Sequence, residues 1–277
     1  MAYLGPTILA RTLSLSTKKG KSNVAWQYHS RSDTHSKIAC WTLLFDLLCN
    51  CDSARKRAAS GQLGFGINHV MVGPINKTLD LVVTLVDADR STQGRSSLSD
   101  LVQRFGIVLT AEERAALMAL PAVFEDGRSD VSEVALAIEA KACMTEHSKS
   151  LPRLHAEILA TGYLARQAAP QCITASYNLV NAAKQFVSPG NAGKVNEHSQ
   201  PEDARLVVDM IAKAIPLTRH TKDLGYDAVG VTVIECANDG SPVVVCGGSA
   251  APSNTEHVHY GRMMVSLCSE FRRRFTA

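Results

Sequence analysis

Apolar runs along the chain predict a series of strands separated by helical segments. Residues 78–86 form a β-branched run with one early carboxylate, and residues 134–143 form a run of small and apolar residues. Both runs have the length of a buried strand rather than that of a helix. Further strands are predicted at residues 67–72, 173–180, 227–237 and 242–246. The last two are separated by Asn238-Asp239-Gly240, which predicts the turn of a hairpin.

Between these runs, apolar residues recur every three or four positions, which is the spacing of an amphipathic helix. Five of them mark one face of the first helix: Ile38, Trp41, Leu44, Phe45 and Leu48. Helices are predicted at residues 33–59, 151–167, 204–215 and 259–275, with a helical insertion at about 98–120. This order of elements predicts an α/β fold, with a mixed, partly antiparallel central β-sheet flanked by helices.

Composition divides the chain into a short basic segment and one large domain. Residues 1–32 contain no Asp or Glu but five basic residues, so a basic N-terminal arm that touches phosphates is predicted there. A transit peptide and an ordinary surface segment are the alternatives. Residues 33–277, in a chain that is 45 % hydrophobic, are sufficient for a single domain with a large core.

Charge and cysteine content exclude few functional classes of protein. The net charge of +3 does not by itself indicate a nucleic-acid partner. The eight cysteines are scattered, and Cys49 and Cys51 lack the spacing of a zinc knuckle. Reduced thiols and a cytoplasmic location are therefore expected. No apolar run reaches the length that would span a membrane, so no membrane partner is expected.

Two opposite charges interrupt the predicted strand at residues 134–143. Glu139 and Lys141 are two positions apart, so their side chains lie on the same face of the strand. Charged groups rarely enter such a run unless they are paired or bind a metal. Asp80 offers a second carboxylate at the start of the other strand. Two carboxylates and a backbone carbonyl, here that of Ala140, are oxygen ligands of the kind that Mg²⁺ prefers.

The set of Asp80, Glu139 and Lys141 resembles the motif of the PD-(D/E)XK nuclease superfamily, which includes most type II restriction endonucleases. The surrounding residues Leu79-Asp80-Leu81-Val82-Val83 resemble the family's context of an aspartate followed by an apolar strand. Leu79 stands where the family often has proline, and the long interval between Asp80 and Glu139 requires an insertion. The order of helix, strand and Asp-bearing strand, with a helix after Glu-X-Lys, also resembles the family.

This resemblance implies a restriction-endonuclease-like core and Mg²⁺-dependent hydrolysis of phosphodiester bonds in DNA, of the restriction type. Asp80, Glu139 and the Ala140 carbonyl would bind the metal. Lys141 would position the attacking water or stabilise the transition state. Repair nucleases, junction resolvases and phage nucleases share the motif. A homodimer is a further expectation, because duplex DNA has two strands to cut.

Two other functions stay open from the sequence. Cys143 and His147 lie close enough along the chain for a Cys/His hydrolase, although no nucleophile-elbow motif is present. A non-catalytic DNA- or protein-binding module would instead use Glu139 and Lys141 as a structural ion pair. Other polar residues carry weaker expectations: Asp46 as a solvated residue, His155 and Glu157 as supporting groups, and Lys194, His198 and Gln200 as contacts to bases or phosphates.

Overall fold

The structure is a computed structural model that describes residues 3–15, 18–19, 25–71, 76–87, 93–126, 134–189, 194–215 and 225–275. The helices in this part of the chain are α1 Gly5–Leu15, α2 Thr34–Asn50, α3 Asp52–Ala59, α4 Asp100–Phe105, α5 Ala111–Met118, α6 His147–Ala168, α7 Glu202–Ala214 and α8 Tyr260–Phe275. The strands are β1 Lys18–Lys19, β2 Ala25–Trp26, β3 Leu63–Met71, β4 Lys77–Leu85, β5 Phe124–Glu125, β6 Val134–Cys143, β7 Ile173–Asn181, β8 Gln185–Val187, β9 Val195–Glu197, β10 Ala228–Glu235 and β11 Val244–Val245.

Within the described residues, seven strands form the central sheet in the order β11-β10-β7-β6-β4-β3-β5. Strands β10, β7 and β6 are parallel, whereas β4 runs antiparallel to both β6 and β3. Strand β11 pairs antiparallel with β10, as the predicted hairpin requires. The sheet is therefore mixed, and the predicted fold class is confirmed.

Helices cover both faces of the sheet, because residues alternate between faces along each strand. One face packs against α1, α2, α3 and α8, and its strand residues include Leu136, Ile138 and Tyr177. The other face packs against α6 and α7, and it includes Val180 and Val229. Strand β6 is rich in alanine, so helices approach it closely from both sides. None of the helices in the described ranges is both long and apolar enough to cross a membrane.

The helical segment predicted at about 98–120 contains α4 and α5, which lie between β4 and β6 along the chain. Thr110 caps α5, as its sequence suggests. Its side chain accepts the Glu113 N–H, while the Glu113 carboxylate accepts the Thr110 N–H, which completes a capping box. Glu113 also binds Arg11 of α1 at 2.5 Å, so this segment is tied to the N-terminal helix.

The basic arm predicted over residues 1–32 is wrong for part of that segment. Residues Gly5–Leu15 form α1, and the side chains of Ile8, Leu9 and Leu13 are fully buried against the core. The prediction was based on the absence of acidic residues from this segment, but Arg11 pairs with Glu113, which is distant along the chain. Residues 20–24, which include Lys21, lie outside the described residues.

Asp46 was expected to be solvated, and this prediction is wrong because the side chain is fully buried in α2. Its carboxylate accepts the backbone N–H groups of Leu4 and Gly5, at 2.9 and 2.8 Å, and the Tyr260 hydroxyl at 2.9 Å. It thereby satisfies backbone donors at the start of α1 that have no partner within the helix. A Cβ atom at Gly5 would meet the Tyr260 hydroxyl at 2.5 Å, which explains the glycine there.

Three smaller boundaries also differ from the predictions. The helix predicted at 33–59 is divided at Cys51 into α2 and α3. The helix predicted at 151–167 begins earlier, at His147, and Glu146 precedes it with a positive φ of 49°. The polar sequence of residues 188–203, with Pro189-Gly190, predicts a loop, but part of this segment is strand β9, which pairs with β8.

Candidate active site

Asp80 lies where the pairing between β4 and its two neighbours becomes irregular. The register between β4 and β6 runs from Thr84 opposite Val134 to Leu81 opposite Ile138. The Asp80 carboxylate then accepts the backbone N–H of Ala140 at 2.8 Å, so a side chain replaces a backbone acceptor on this edge of β6. The carboxylate is therefore held beside the residue that separates Glu139 from Lys141.

The other neighbour of β4 is irregular at the same level. Ile67 lies opposite Leu81 and His69 opposite Leu79, which places Asn68 across from Asp80. Asn68 has a left-handed backbone, with φ at 54°, and its side-chain amide donates to Asp33 at 2.8 Å. Regular backbone pairing is therefore interrupted on both sides of Asp80.

Glu139 is 3 % exposed and lies between two lysines. Its Oε1 atom is 2.6 Å from Lys141 Nζ and 3.6 Å from Lys77 Nζ. Its Oε2 atom is buried and has no hydrogen-bond partner among the described residues. A buried carboxylate oxygen without a partner costs free energy, so Glu139 retains the capacity to bind a further donor or a cation.

Lys141 connects the sheet to α6, because its Nζ atom is also 3.3 Å from Glu157 Oε2. Of the two residues expected to support the site from this helix, Glu157 thus reaches the cluster. Lys77, at the start of β4, was not predicted from the sequence. Its only signal was its position three residues before Asp80, which does not fix the direction of its side chain.

Burial, followed by the nearby charge of Glu139, raises the pKa of Asp80 to about 6. The Ala140 N–H, Lys141 and Lys77 favour the ionised form but do not cancel these effects. Burial alone would lower the pKa of Lys141, but Glu139, Glu157 and Asp80 outweigh it, and the pKa lies above its usual value. Lys141 is therefore an ammonium at neutral pH, and it donates hydrogen bonds rather than acting as a base.

The donor atoms at this site fit a hard divalent cation. Asp80 and Glu139 supply carboxylate oxygens, and one of these, Glu139 Oε2, has no hydrogen-bond partner among the described residues. The Ala140 carbonyl points to the same edge of β6 as its N–H, which faces Asp80, because both groups of a strand residue lie on one side. No group of three or more His, Cys, Asp or Glu side chains suited to a metal occurs in the described ranges. Water would therefore complete the coordination, as is usual for Mg²⁺.

A second group of polar residues lines a surface cavity of about 420 Å³ at the start of α6. It includes Lys194 and His198, which were expected to contact DNA, together with His147 and Lys149. The His147 and His198 rings meet edge to face at 4.7 Å, and each ring has a nitrogen within 3 Å of a backbone carbonyl oxygen. Gln200 donates to the Asn181 carbonyl at 3.3 Å. His147, His198 and Gln200 are thus held by backbone carbonyls of β7 and of the segment after it.

A scan against protein-family models finds no match for this chain, and searches of curated proteins and of solved structures find none either.

Proposed function

We propose that the protein is a Mg²⁺-dependent endonuclease that hydrolyses phosphodiester bonds in DNA, similar to the restriction-type members of the PD-(D/E)XK superfamily. One observation carries this proposal. Asp80 of β4, which is distant along the chain, lies beside Glu139 and Lys141 of β6, around the Ala140 peptide in the middle of the sheet. A cytoplasmic location, suggested by the scattered cysteines, belongs to the same proposal.

The roles of the residues follow from their protonation states. Asp80, Glu139 and the Ala140 carbonyl would bind Mg²⁺, which supplies Lewis-acid stabilisation to a phosphoryl oxygen. Lys141 donates a hydrogen bond to the attacking water or to the phosphate, where negative charge grows in the transition state. Its ammonium is held by Glu139 on the strand and Glu157 on α6, so the donor is oriented before substrate arrives.

Lys77 gives the site a second positive charge. Its side chain is 30 % exposed, and its ammonium faces Glu139 Oε1, the oxygen that also contacts the Lys141 ammonium. If the metal displaces the Lys77 ammonium from Glu139, this ammonium is well placed to bind a phosphate oxygen of the substrate. Lys149 and Lys194, in the cavity at the start of α6, suit contacts to the flanking DNA backbone, and three carboxylates line the same cavity.

The direct test is incubation of plasmid, linear duplex and single-stranded DNA with the purified protein, with Mg²⁺ or with a chelator. We expect cleavage only with Mg²⁺, and discrete fragments if the enzyme reads a sequence. Lys141→Met and Asp80→Asn should each reduce cleavage at least 100-fold, in line with the loss of a preorganised charge. Nicked rather than linear plasmid would indicate a monomer acting on one strand, whereas linear products support the homodimer.

Two matched variants control for loss of charge elsewhere. Asp87→Asn removes an exposed carboxylate beyond the other end of β4, and Lys213→Met removes an exposed lysine from the last turn of α7. Both should cleave at the wild-type rate. A Lys141→Met protein that cleaves as fast as Lys213→Met would exclude the role assigned to Lys141.

A non-catalytic DNA- or protein-binding module is the second candidate, and one observation favours it. Glu139 already contacts two lysines, and Lys141 contacts two carboxylates, as in a structural ion-pair network. This candidate predicts that the protein retains DNA in a binding assay and that Mg²⁺ stimulates no cleavage. It also predicts that Glu139→Gln lowers the stability of the fold.

A further inference from the structure

Polar side chains of β6 and β7 form a block on the face of the sheet that packs against α6. The parallel pairing of these strands places Ser176 beside Glu139, and Asn178 beside Lys141. Paired residues of neighbouring strands direct their side chains to the same face, so all four lie together. This face is the one covered by α6, because Lys141 contacts Glu157 of that helix.

The Asn178 side chain is buried and is held in one orientation. It is 1 % exposed, and its amide nitrogen donates to Ser176 Oγ at 3.0 Å and to the Gly230 carbonyl at 3.2 Å. Its amide oxygen, Oδ1, is buried and has no hydrogen-bond partner among the described residues. Buried amide oxygens are almost always paired, so this one requires an explanation.

The Lys141 ammonium is a donor that can supply this partner. An ammonium has three N–H groups. In the part of the chain that the structure describes, that of Lys141 contacts Glu139 Oε1 at 2.6 Å and Glu157 Oε2 at 3.3 Å. Glu139 Oε1 is shared with Lys77, whereas Glu139 Oε2 has no hydrogen-bond partner within the same described ranges. Lys141 therefore lies between a carboxylate suited to a cation and, on β7, the buried oxygen of Asn178.

The strand order places Asn178 on one side of the carboxylate–lysine cluster. This cluster consists of Asp80, Glu139, Lys77 and Lys141. Strand β4, which carries Asp80, is one neighbour of β6, and β7, which carries Asn178, is the other. A divalent cation held by Asp80 and Glu139 would repel the Lys141 ammonium, because the two charges have the same sign. On the β7 side, Asn178 Oδ1 is a neutral acceptor for the displaced ammonium.

We propose that Asn178 is a positioning residue of the carboxylate–lysine cluster, and that its amide oxygen accepts a hydrogen bond from the Lys141 ammonium when a cation binds. This inference rests on the proposed function, because it requires a cation at Asp80 and Glu139. Glu157 and Asn178 then hold two N–H groups of Lys141, and the third is directed at the attacking water or the phosphate. The amide is neutral, so it orients the ammonium without competing for the cation.

Two substitutions separate the acceptor oxygen of Asn178 from its donors. Asn178→Asp keeps an acceptor and loses the donors to Ser176 and Gly230, whereas Asn178→Leu loses both at a similar volume. We expect Asn178→Leu to lower kcat at least about 10-fold with little change in KM, because Lys141 is no longer oriented. Asn178→Asp should cleave close to the wild-type rate. Equal losses in the two variants would assign Asn178 a purely structural role and overturn the proposal.

A matched control removes another buried polar group from the sheet. Thr232 of β10 accepts the Tyr177 hydroxyl at 3.0 Å, and Tyr177 belongs to the opposite face. Thr232→Val should cleave at the wild-type rate once rates are corrected for the folded fraction, which circular dichroism measures. A loss in Thr232→Val as large as that in Asn178→Leu would show that any buried polar group of the sheet has this effect, and would overturn the proposal.

A measurement on the wild-type protein requires neither cleavage nor a stable Asn178→Leu variant. The side-chain carbonyl carbon of Asn178, labelled with ¹³C and assigned by its loss in Asn178→Asp, reports hydrogen bonds to Oδ1. We expect Mg²⁺ to shift this resonance in the wild-type protein and to leave it unmoved in Lys141→Met. A purely structural role of the amide predicts no shift in either protein.

The same samples distinguish failure of this inference from failure of the proposed function. An unmoved Asn178 resonance in a protein whose melting temperature rises with Mg²⁺ would overturn the inference alone. If Mg²⁺ changes neither the resonance nor the melting temperature, the cation site of the proposed function is wrong, and the role of Asn178 is wrong with it.

Discussion

The ionised Asp80 side chain is an unfavourable group in the folded protein at neutral pH, because burial and the charge of Glu139 disfavour its negative charge. The polar contact that it makes, the hydrogen bond from Ala140, serves a neutral amide oxygen nearly as well. Natural proteins retain such groups mainly where function requires them. The proposed Mg²⁺ would neutralise this charge.

Asp80→Asn is expected to stabilise the metal-free protein at pH 7.5 by about 1–3 kcal/mol, since a pKa raised from 3.8 to about 6 is a cost that asparagine avoids. The native state binds the Asp80 proton more tightly than the unfolded state does. Protonated Asp80 therefore contributes favourably to the free energy of unfolding below about pH 4, and this contribution is lost as pH rises through 6. Urea unfolding in a chelator at pH 4 and 7.5 measures this. Equal differences between the variant and wild type at both pH values would contradict the raised pKa.

Mg²⁺ is expected to raise the melting temperature of the wild-type protein at pH 7.5, because a ligand that binds only the folded state stabilises it by mass action. The shift should become small at pH 5, because Asp80 is then mostly protonated and the proton competes with the metal for the carboxylate. Differential scanning fluorimetry over a Mg²⁺ titration measures this without any assay of cleavage. Asp87→Asn is the control and should respond like wild type, whereas an undiminished shift in Asp80→Asn would exclude Asp80 as a ligand.

At the scale of elements, a single carboxylate of α2 holds the start of α1. Asp46→Ala would leave the Leu4 and Gly5 N–H groups and the Tyr260 hydroxyl without this acceptor. The expected loss is about 3 kcal/mol in the free energy of unfolding, with faster hydrogen exchange in α1. Urea unfolding and amide exchange check this. Asp52→Ala, on an exposed side chain, should change stability by less than about 0.5 kcal/mol. An unchanged exchange rate in α1 would show that the cap does not hold the helix.

The sequence predicted most of these elements but not how they meet. Strands β4, β6 and β7 were predictable because each is a short apolar run. The proximity of Glu139 and Lys141 was predictable because side chains two positions apart in a strand lie on the same face. Asp46 was mispredicted because its partners, Leu4, Gly5 and Tyr260, are more than forty positions away along the chain. Lys77 was not predicted, and Glu157 was expected only as a supporting group, because long-range packing sets the direction of both side chains.

For the whole molecule, one buried carboxylate ties the C-terminal helix to the rest of the fold. Asp227, just before β10, accepts the Thr174 N–H of β7 at 2.9 Å and binds Arg166 of α6 at 3.1 Å. It also binds Arg274 of α8, which in turn donates to the Cys172 carbonyl at 2.8 Å. Helices from opposite faces of the sheet are therefore held by the same side chain.

Asp227→Ala should lower the free energy of unfolding by about 3–5 kcal/mol, because it leaves two arginines that are 15 % and 12 % exposed without their shared partner. Urea unfolding followed by far-UV circular dichroism measures the loss, and amide exchange should show it in α8 as well as α6. Asp209→Ala removes one carboxylate from a partly exposed pair on α7 and should cost no more than about 1 kcal/mol. Because Asp227 is not part of the carboxylate–lysine cluster, Mg²⁺ should still stabilise the folded fraction of Asp227→Ala. Similar losses in the two variants would show that the opposite faces are held by their apolar contacts alone.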